Sequence, residues 1–261
     1  MLISRRHCLA MPFATGLLAP HAAAATSDAA PADSFPAQDP DLVKEMVVVS
    51  HGNHERVEAL LKDSPRLANA TYDWGFGDWE TCLGAASHTG RKKIAAALLE
   101  AGARPDIFAM TMLGKLEAVK AMIQAQPGLQ KTRGPHGLTL MHHARMGGDD
   151  AVKVLEYLLA LEGADVPYKD EPLNDADKAA ILGDYTYGPG EDQRFKILIP
   201  DKDTHLAVRR GKNFPRQLFH QGGLVFHPIG APETHLAFTV ANGKTSVTVT
   251  NPAPGVVGQR L

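Results

Sequence analysis

Histidine offers this chain the most chemistry: twelve of its 261 residues are His. The imidazole titrates near neutrality and is a common ligand for transition metals. Five of the twelve gather in the middle of the chain, as His51-Gly-Asn-His54, His88 and His142-His143. Stacked at one level of a repeating structure, they could meet in a metal site. Glycines that close helical turns give a ruler for that test. His51 lies one residue before Gly52 and His54 two after; His88 lies two before Gly90, and His142 and His143 six and five before Gly148. Such unequal offsets predict no single column, so neither a metal nor a cofactor is expected.

Other chemistries leave no signature. The chain has no Gly-x-Ser-x-Gly elbow, phosphate-binding loop, zinc-protease helix or paired cysteines. Cys82 opens a helical stretch and is expected to be a buried small residue. A non-catalytic protein is therefore expected. The remaining candidate residues suit binding. Both tryptophans fall in Asn69-Ala-Thr-Tyr-Asp-Trp-Gly-Phe-Gly-Asp-Trp79, a glycine-loosened loop. Tyr72, Trp74, Phe76 and Trp79 carry large contact area at low entropy cost, the makings of a binding hot spot. A second Gly/Pro loop, Lys131 to Gly137, carries Arg133 and His136. Converging with the aromatics, these would form an amphipathic rim, so all six are candidate partner-binding residues. The alternative is that the aromatic loop folds onto its own unit or onto a neighbouring domain as a local core. Arg209, Arg210, Lys212 and Arg216 cluster later in the chain; a solvated strand edge is expected there, with an anion-binding patch as the alternative.

The elements that must position these loops repeat. Thr81 to Gly90 reads as one short helix with small or apolar Leu83, Ala85 and Ala86, and Ile94, Ala97 and Leu98 give the stripe of a second. One such pair cannot bury its own apolar face, so it must stack on copies. Three further units fit. Met46 to Val49 lead to Gly52, then Val57, Leu60 and Leu61. Ala109 leads to Gly114, then Val119, Met122 and Ile123. Thr139 to Ala144 leads to Gly148, then Val152, Val154, Leu155, Leu158 and Leu159. The ruler glycines are 38, 24 and 34 residues apart, which marks related units with variable connections.

Thr81-Cys-Leu-Gly-Ala-Ala86 and Thr139-Leu-Met-His-His-Ala144 resemble the opening signature of the ankyrin repeat. Leu98-Leu99-Glu-Ala-Gly-Ala103 and Leu158-Leu159-Ala-Leu-Glu-Gly-Ala164 resemble its close. The resemblance covers residues 41–165. It implies that each finger and inner helix lines a concave recognition face. It also implies that His142, at the signature histidine position, hydrogen-bonds neighbouring backbone. Cys82 and Leu140 stand where the signature has proline and Gly84 where it has histidine, and the 24-residue step leaves the third unit no room for a finger.

Beyond a Pro-interrupted connector, Asn174 is placed to cap a short helix over Asp175 to Leu182. The period then changes from 3.6 to 2. Strands are expected at 195–199, 205–209, 217–219, 224–226, 236–240 and 246–250, with Asn242-Gly243 as a hairpin turn. They predict a small antiparallel meander, either a barrel or a curved sheet. Its opening, Leu182-Gly-Asp-Tyr185, resembles small lipocalin-like domains that trail some bacterial hydrolases, a likeness without a catalytic motif.

Composition agrees with a folded protein: 44% apolar, 21% charged, net charge −2. No basic stripe suggests nucleic acid. Arg5-Arg6, the weakly apolar Leu9 to Leu18 and Ala22 to Ala25 read as an export signal, and Ser4-Arg5-Arg6-His7-Cys8-Leu9 resembles the twin-arginine type. Its removal would leave 25 basic against 29 acidic residues and one cysteine, Cys82. The expected organisation is an export signal at 1–25, a linker at 26–40, the repeats at 41–165, a connector at 166–182 and the β domain at 183–261. The fold class is α+β, an ankyrin-like α-solenoid of about four helix pairs followed by the meander. The expected function is periplasmic or secreted recognition of an envelope protein, without stable membrane insertion. The alternative is an enzyme accessory or small-ligand binder, with its site in the β domain or the interdomain cleft.

Overall fold

A computed structural model describes residues 33–201, 203–251 and 255–261. The export signal expected at 1–25 and the first part of the linker lie outside them. The described chain is mixed α+β: stacked helix pairs followed by a closed antiparallel barrel.

The pairs are α1 (Pro40–Val49) with α2 (His54–Asp63), α3 (Cys82–His88) with α4 (Lys92–Glu100), α5 (Ile107–Met112) with α6 (Leu116–Ala125), and α7 (Leu140–Gly147) with α8 (Val152–Leu159). Local chemistry starts most of them. Asp39, Asn53, Thr81, Asp106 and Thr139 each accept a backbone N–H of the first turn of the helix they cap. Packing then makes two layers. Helix α3 lies on α1, α5 and α7, while α2 lies on α4 and α6 on α8. Fully buried Ala85, Ala86, Ala95 and Ala109 keep the backbones close, with Met46, Leu83, Leu98 and Met112 filling between them. Gly90 shows what stacking demands: its φ is +69°, and a Cβ there would sit 2.6 Å from the Met146 carbonyl oxygen of the last pair.

Two loops project from the stack. Between the first and second pairs, β1 (Thr71–Asp73) and β2 (Trp79–Thr81) form an antiparallel hairpin. Before α7, a tight turn over Pro135–Gly137 is closed by a bridge between Arg133 and Thr139. The third pair has no hairpin, as the short glycine step predicts.

Asn174 caps α9 (Asp175–Ile181) as expected. The barrel then runs β3 (Gly183–Thr186), β4 (Arg194–Leu198), β5 (Ala207–Arg210), β6 (Arg216–Gly222), β7 (Val225–Pro228), β8 (Leu236–Ala241), β9 (Lys244–Val249) and β10 (Val256–Arg260). Each strand pairs with the next, and β10 pairs with β3 to close the ring. Six or seven strands were expected and six were located; the two that close the ring, β3 and β10, are additional to those six. Closure leaves no free sheet edge. The interior core holds Tyr185, Phe195, Phe226, Phe238, Ile197, Leu218, Leu236 and Val247. Ile181 of α9 packs into this core, and its carbonyl accepts the Tyr185 hydroxyl at 2.7 Å.

The hairpin is also the joint between stack and barrel. Phe76 packs against the barrel core. Arg216 of β6 donates to the carbonyls of Gly75 and Ile229, and its guanidinium pairs with Asp78 at 3.2 Å. Arg216 thus departs from the solvated edge expected for the basic cluster, because burial with a carboxylate partner outweighs hydration here; Arg210 and Lys212 remain exposed. Among the described residues no helix is long and apolar enough to cross a membrane.

Candidate functional site

Glu80, the middle residue of β2, is the centre of the most unusual constellation. Alternation along the strand turns Trp79 outward and Glu80 inward, where it has no solvent exposure. A buried carboxylate is costly unless partners surround it. Three imidazoles and one indole do so. Trp74 Nε1 donates to Glu80 Oε2 at 2.7 Å. His88, the last residue of α3, puts Nε2 2.8 Å from Oε1. His51, just beyond α1, puts Nε2 3.5 Å from Oε2. His136, in the turn before α7, puts Nε2 3.4 Å from Oε1.

The supports of these rings are equally specific. His51 Nδ1 faces the carbonyls of Val47 at 3.0 Å and Val48 at 3.1 Å. His136 has a φ of +58°, and Asp78 grips it twice, accepting its backbone N–H and its Nδ1 at 2.8 Å each. The His88 ring stands edge-on between His51 and His136, with centroids 5.0 and 5.2 Å away. The His88 carbonyl contacts His142 Nε2 at 2.9 Å, the backbone-fixing role expected of that histidine. His51 and His136 keep about 30% of their side chains exposed (31% and 29%), so the cluster reaches the surface through their edges.

Charge in the cluster is strongly biased. Burial alone would raise the Glu80 carboxyl, but the neighbouring His136, His88 and His51 overcome it and hold it down to about 2. Burial would lower His136, but Asp78 and Glu80 drive it up to about 9. Cys82, two residues beyond Glu80, is buried as expected: burial pushes its thiol up to about 12, and it contacts the Ala68 carbonyl at 3.0 Å.

The six residues expected to form one rim take different places. Trp74 and His136 come together over Glu80, with ring centroids 6.1 Å apart. Tyr72 stands edge-on behind Trp74, with the Lys44 ammonium 5.2 Å from its ring centre. Phe76 belongs to the joint with the barrel. Arg133 donates to the Gly137 carbonyl at 2.8 Å and to Val166, and lies 4.0 Å over the Tyr168 ring. Trp79 alone points to solvent, 61% exposed.

Sequence reasoning passed over Glu80, Asp78, His51 and His88 as members of one site. The offsets from turn glycines, which argued against a common column, compare positions along helices only. The meeting is made by loops: His51 comes from a turn, His136 from a finger and Glu80 from a strand that reaches up beside α3. A signal was present in Asp78-Trp-Glu80, two acids flanking an aromatic residue where β2 begins, just before the helix that ends in His88.

The cluster contains no hydroxyl or thiol nucleophile positioned beside a base. One ring nitrogen from each of His51, His88 and His136 and one Glu80 oxygen lie within 4.8 Å of one another, and these four residues could hold a metal ion. No protein-family model matches the chain, and no curated protein matches it.

Proposed function

We propose that the protein is a non-catalytic recognition module, exported across the bacterial inner membrane, whose helix pairs act as ankyrin-like repeats and present the hairpin finger to a protein of the cell envelope. One observation carries this reading. Trp79 is 61% exposed on a hairpin whose other aromatics are anchored, Trp74 over Glu80 and Phe76 against the barrel. An exposed tryptophan on a rigid support binds with little loss of rotamer freedom, the property of interface hot spots. The export signal read in residues 1–25 and the repeat signatures support the location and the repeat assignment.

The rival reading places a small-ligand site in the barrel or the interdomain cleft. The rings of Tyr185, Phe195, Phe226 and Phe238 packed together inside the barrel speak against its first form. Arg216, Asp78 and Phe76 packed across the joint speak against its second.

The test is site-specific crosslinking in envelope extract, with a photoreactive residue at position 79 and, as control, at the still more exposed Phe214 in the β5–β6 loop of the barrel. A single protein crosslinked from position 79 and absent from position 214 supports the reading. Identical products from both positions, or none from position 79, overturn it.

A further inference from the structure

We propose that His51, Glu80, His88 and His136 form a closed mononuclear site for a divalent transition ion, with zinc the best-fitting occupant. The argument begins with protons. A carbonyl oxygen only accepts, so His51 Nδ1 must carry the hydrogen shared with Val47 and Val48. The Asp78 carboxylate likewise requires a hydrogen on His136 Nδ1. In the form that binds a metal both Nε2 atoms therefore present lone pairs, and both face the Glu80 carboxylate at 3.5 and 3.4 Å. A cation placed between these nitrogens and the carboxylate would be met by lone pairs from both sides.

The third contact agrees. Glu80 Oε1 and His88 Nε2 are 2.8 Å apart, yet both are buried and neither makes a well-directed hydrogen bond. Two such atoms, close but not aimed at each other, are placed as ligands of a common point. A tetrahedral ion with bonds of about 2.0–2.1 Å separates its ligand atoms by about 3.3 Å. The contacts of 2.8 and 3.4 Å that His88 and His136 make with Glu80 Oε1 bracket that spacing, and the ligand atoms of all four residues lie within 4.8 Å of one another.

Ligand supports complete the case. Metal-bound histidines usually donate their other nitrogen to a carboxylate or carbonyl, which fixes the tautomer and strengthens the ligand. Asp78 does this for His136, and the end of α1 does it for His51. Trp74 Nε1 holds the second Glu80 oxygen. Three imidazoles and one carboxylate suit zinc and its transition-metal neighbours, whereas magnesium and calcium prefer oxygen. The ion would clamp the α1–α2 turn, the end of α3, the hairpin and the following finger to one another, and it is independent of what Trp79 binds.

The test uses the tag-free chain, stripped by chelator and titrated with Zn2+ by calorimetry and with Co2+ by visible spectroscopy. Expected are one ion per chain, a tetrahedral Co2+ spectrum with nitrogen ligation, and a higher melting temperature with zinc. His51→Ala and His136→Ala, the two partly exposed ligands, should each lose roughly 100-fold or more in affinity, above the 10–100-fold typical of losing an outer partner. His54→Ala, outside the cluster, should bind like the native chain. Absence of stoichiometric binding, an octahedral Co2+ spectrum, or affinity unchanged in both ligand variants would each overturn the proposal. The native Co2+ spectrum decides the matter even where a variant fails to fold.

Discussion

Asp78 of the hairpin and Arg216 of the barrel form an ion pair 3.2 Å long across the joint between the two halves of the chain, with 2% and 13% of their side chains exposed. Asp78 also holds His136 through two hydrogen bonds. One carboxylate thus couples the attachment of the barrel to the position of a ring in the polar cluster.

Removing the barrel's side of this pair should be costly. Arg216→Met leaves Asp78 buried with His136 alone and abandons the bonds to Gly75 and Ile229. We expect about 3 kcal/mol of destabilisation in denaturant unfolding, the scale of a broken buried pair. Adding Asp78→Asn should recover part of it, because the uncompensated charge goes too. Equal and additive losses would show that the two residues are not coupled.

The aromatic residues of the hairpin should divide sharply. Trp74→Ala removes a half-buried ring and the indole donor to buried Glu80, and about 3 kcal/mol of stability should go with it. Trp79→Ala should change stability by less than about 0.5 kcal/mol, as surface substitutions do. Thermal unfolding of the two variants side by side checks this.

Acid should weaken the stack through a residue outside the cluster. His143 is fully buried, with Nδ1 on the Thr139 carbonyl and the Phe108 ring 5.0 Å away. Burial pushes its pKa down from 6.5 to about 4. The unfolded chain therefore takes up this proton first. The stability tied to His143 is complete above about pH 6.5 and falls between there and pH 4, by at most about 1.4 kcal/mol per pH unit. Unfolding free energies from pH 7 to 4 should be less steep for His143→Leu than for the native chain; parallel curves would exclude His143 as a source.

Gly90→Ala tests the stacking itself. Its φ of +69° is strained for alanine, and the Met146 carbonyl leaves a Cβ no room at 2.6 Å. We expect a loss of at least about 2 kcal/mol. The same change at Gly102, where φ is +91° and nothing lies within 4 Å of a Cβ, should cost less. A smaller loss at Gly90 than at Gly102 would mean that the pairs do not approach as closely as described.

Much of the secondary structure is determined by the sequence alone, because its causes are local. Thr81, Thr139 and Asn174 cap helices wherever those helices pack. Asn242-Gly243 turns β8 into β9 with both residues at positive φ, as a two-residue hairpin requires. Apolar stripes of period 3.6 announce the helix pairs, and alternation announces six strands. What only the tertiary structure decided depends on partners distant in sequence. Ring closure belongs to β3 and β10, short strands whose pairing joins the two ends of the domain. The cluster belongs to a turn, a strand, a helix end and a finger. Periodicity says which face of an element is buried, but not which loops arrive at the same height when the elements stack. His51, Glu80, His88 and His136 meet because α3 lies against both α1 and α7 and the hairpin returns beside it.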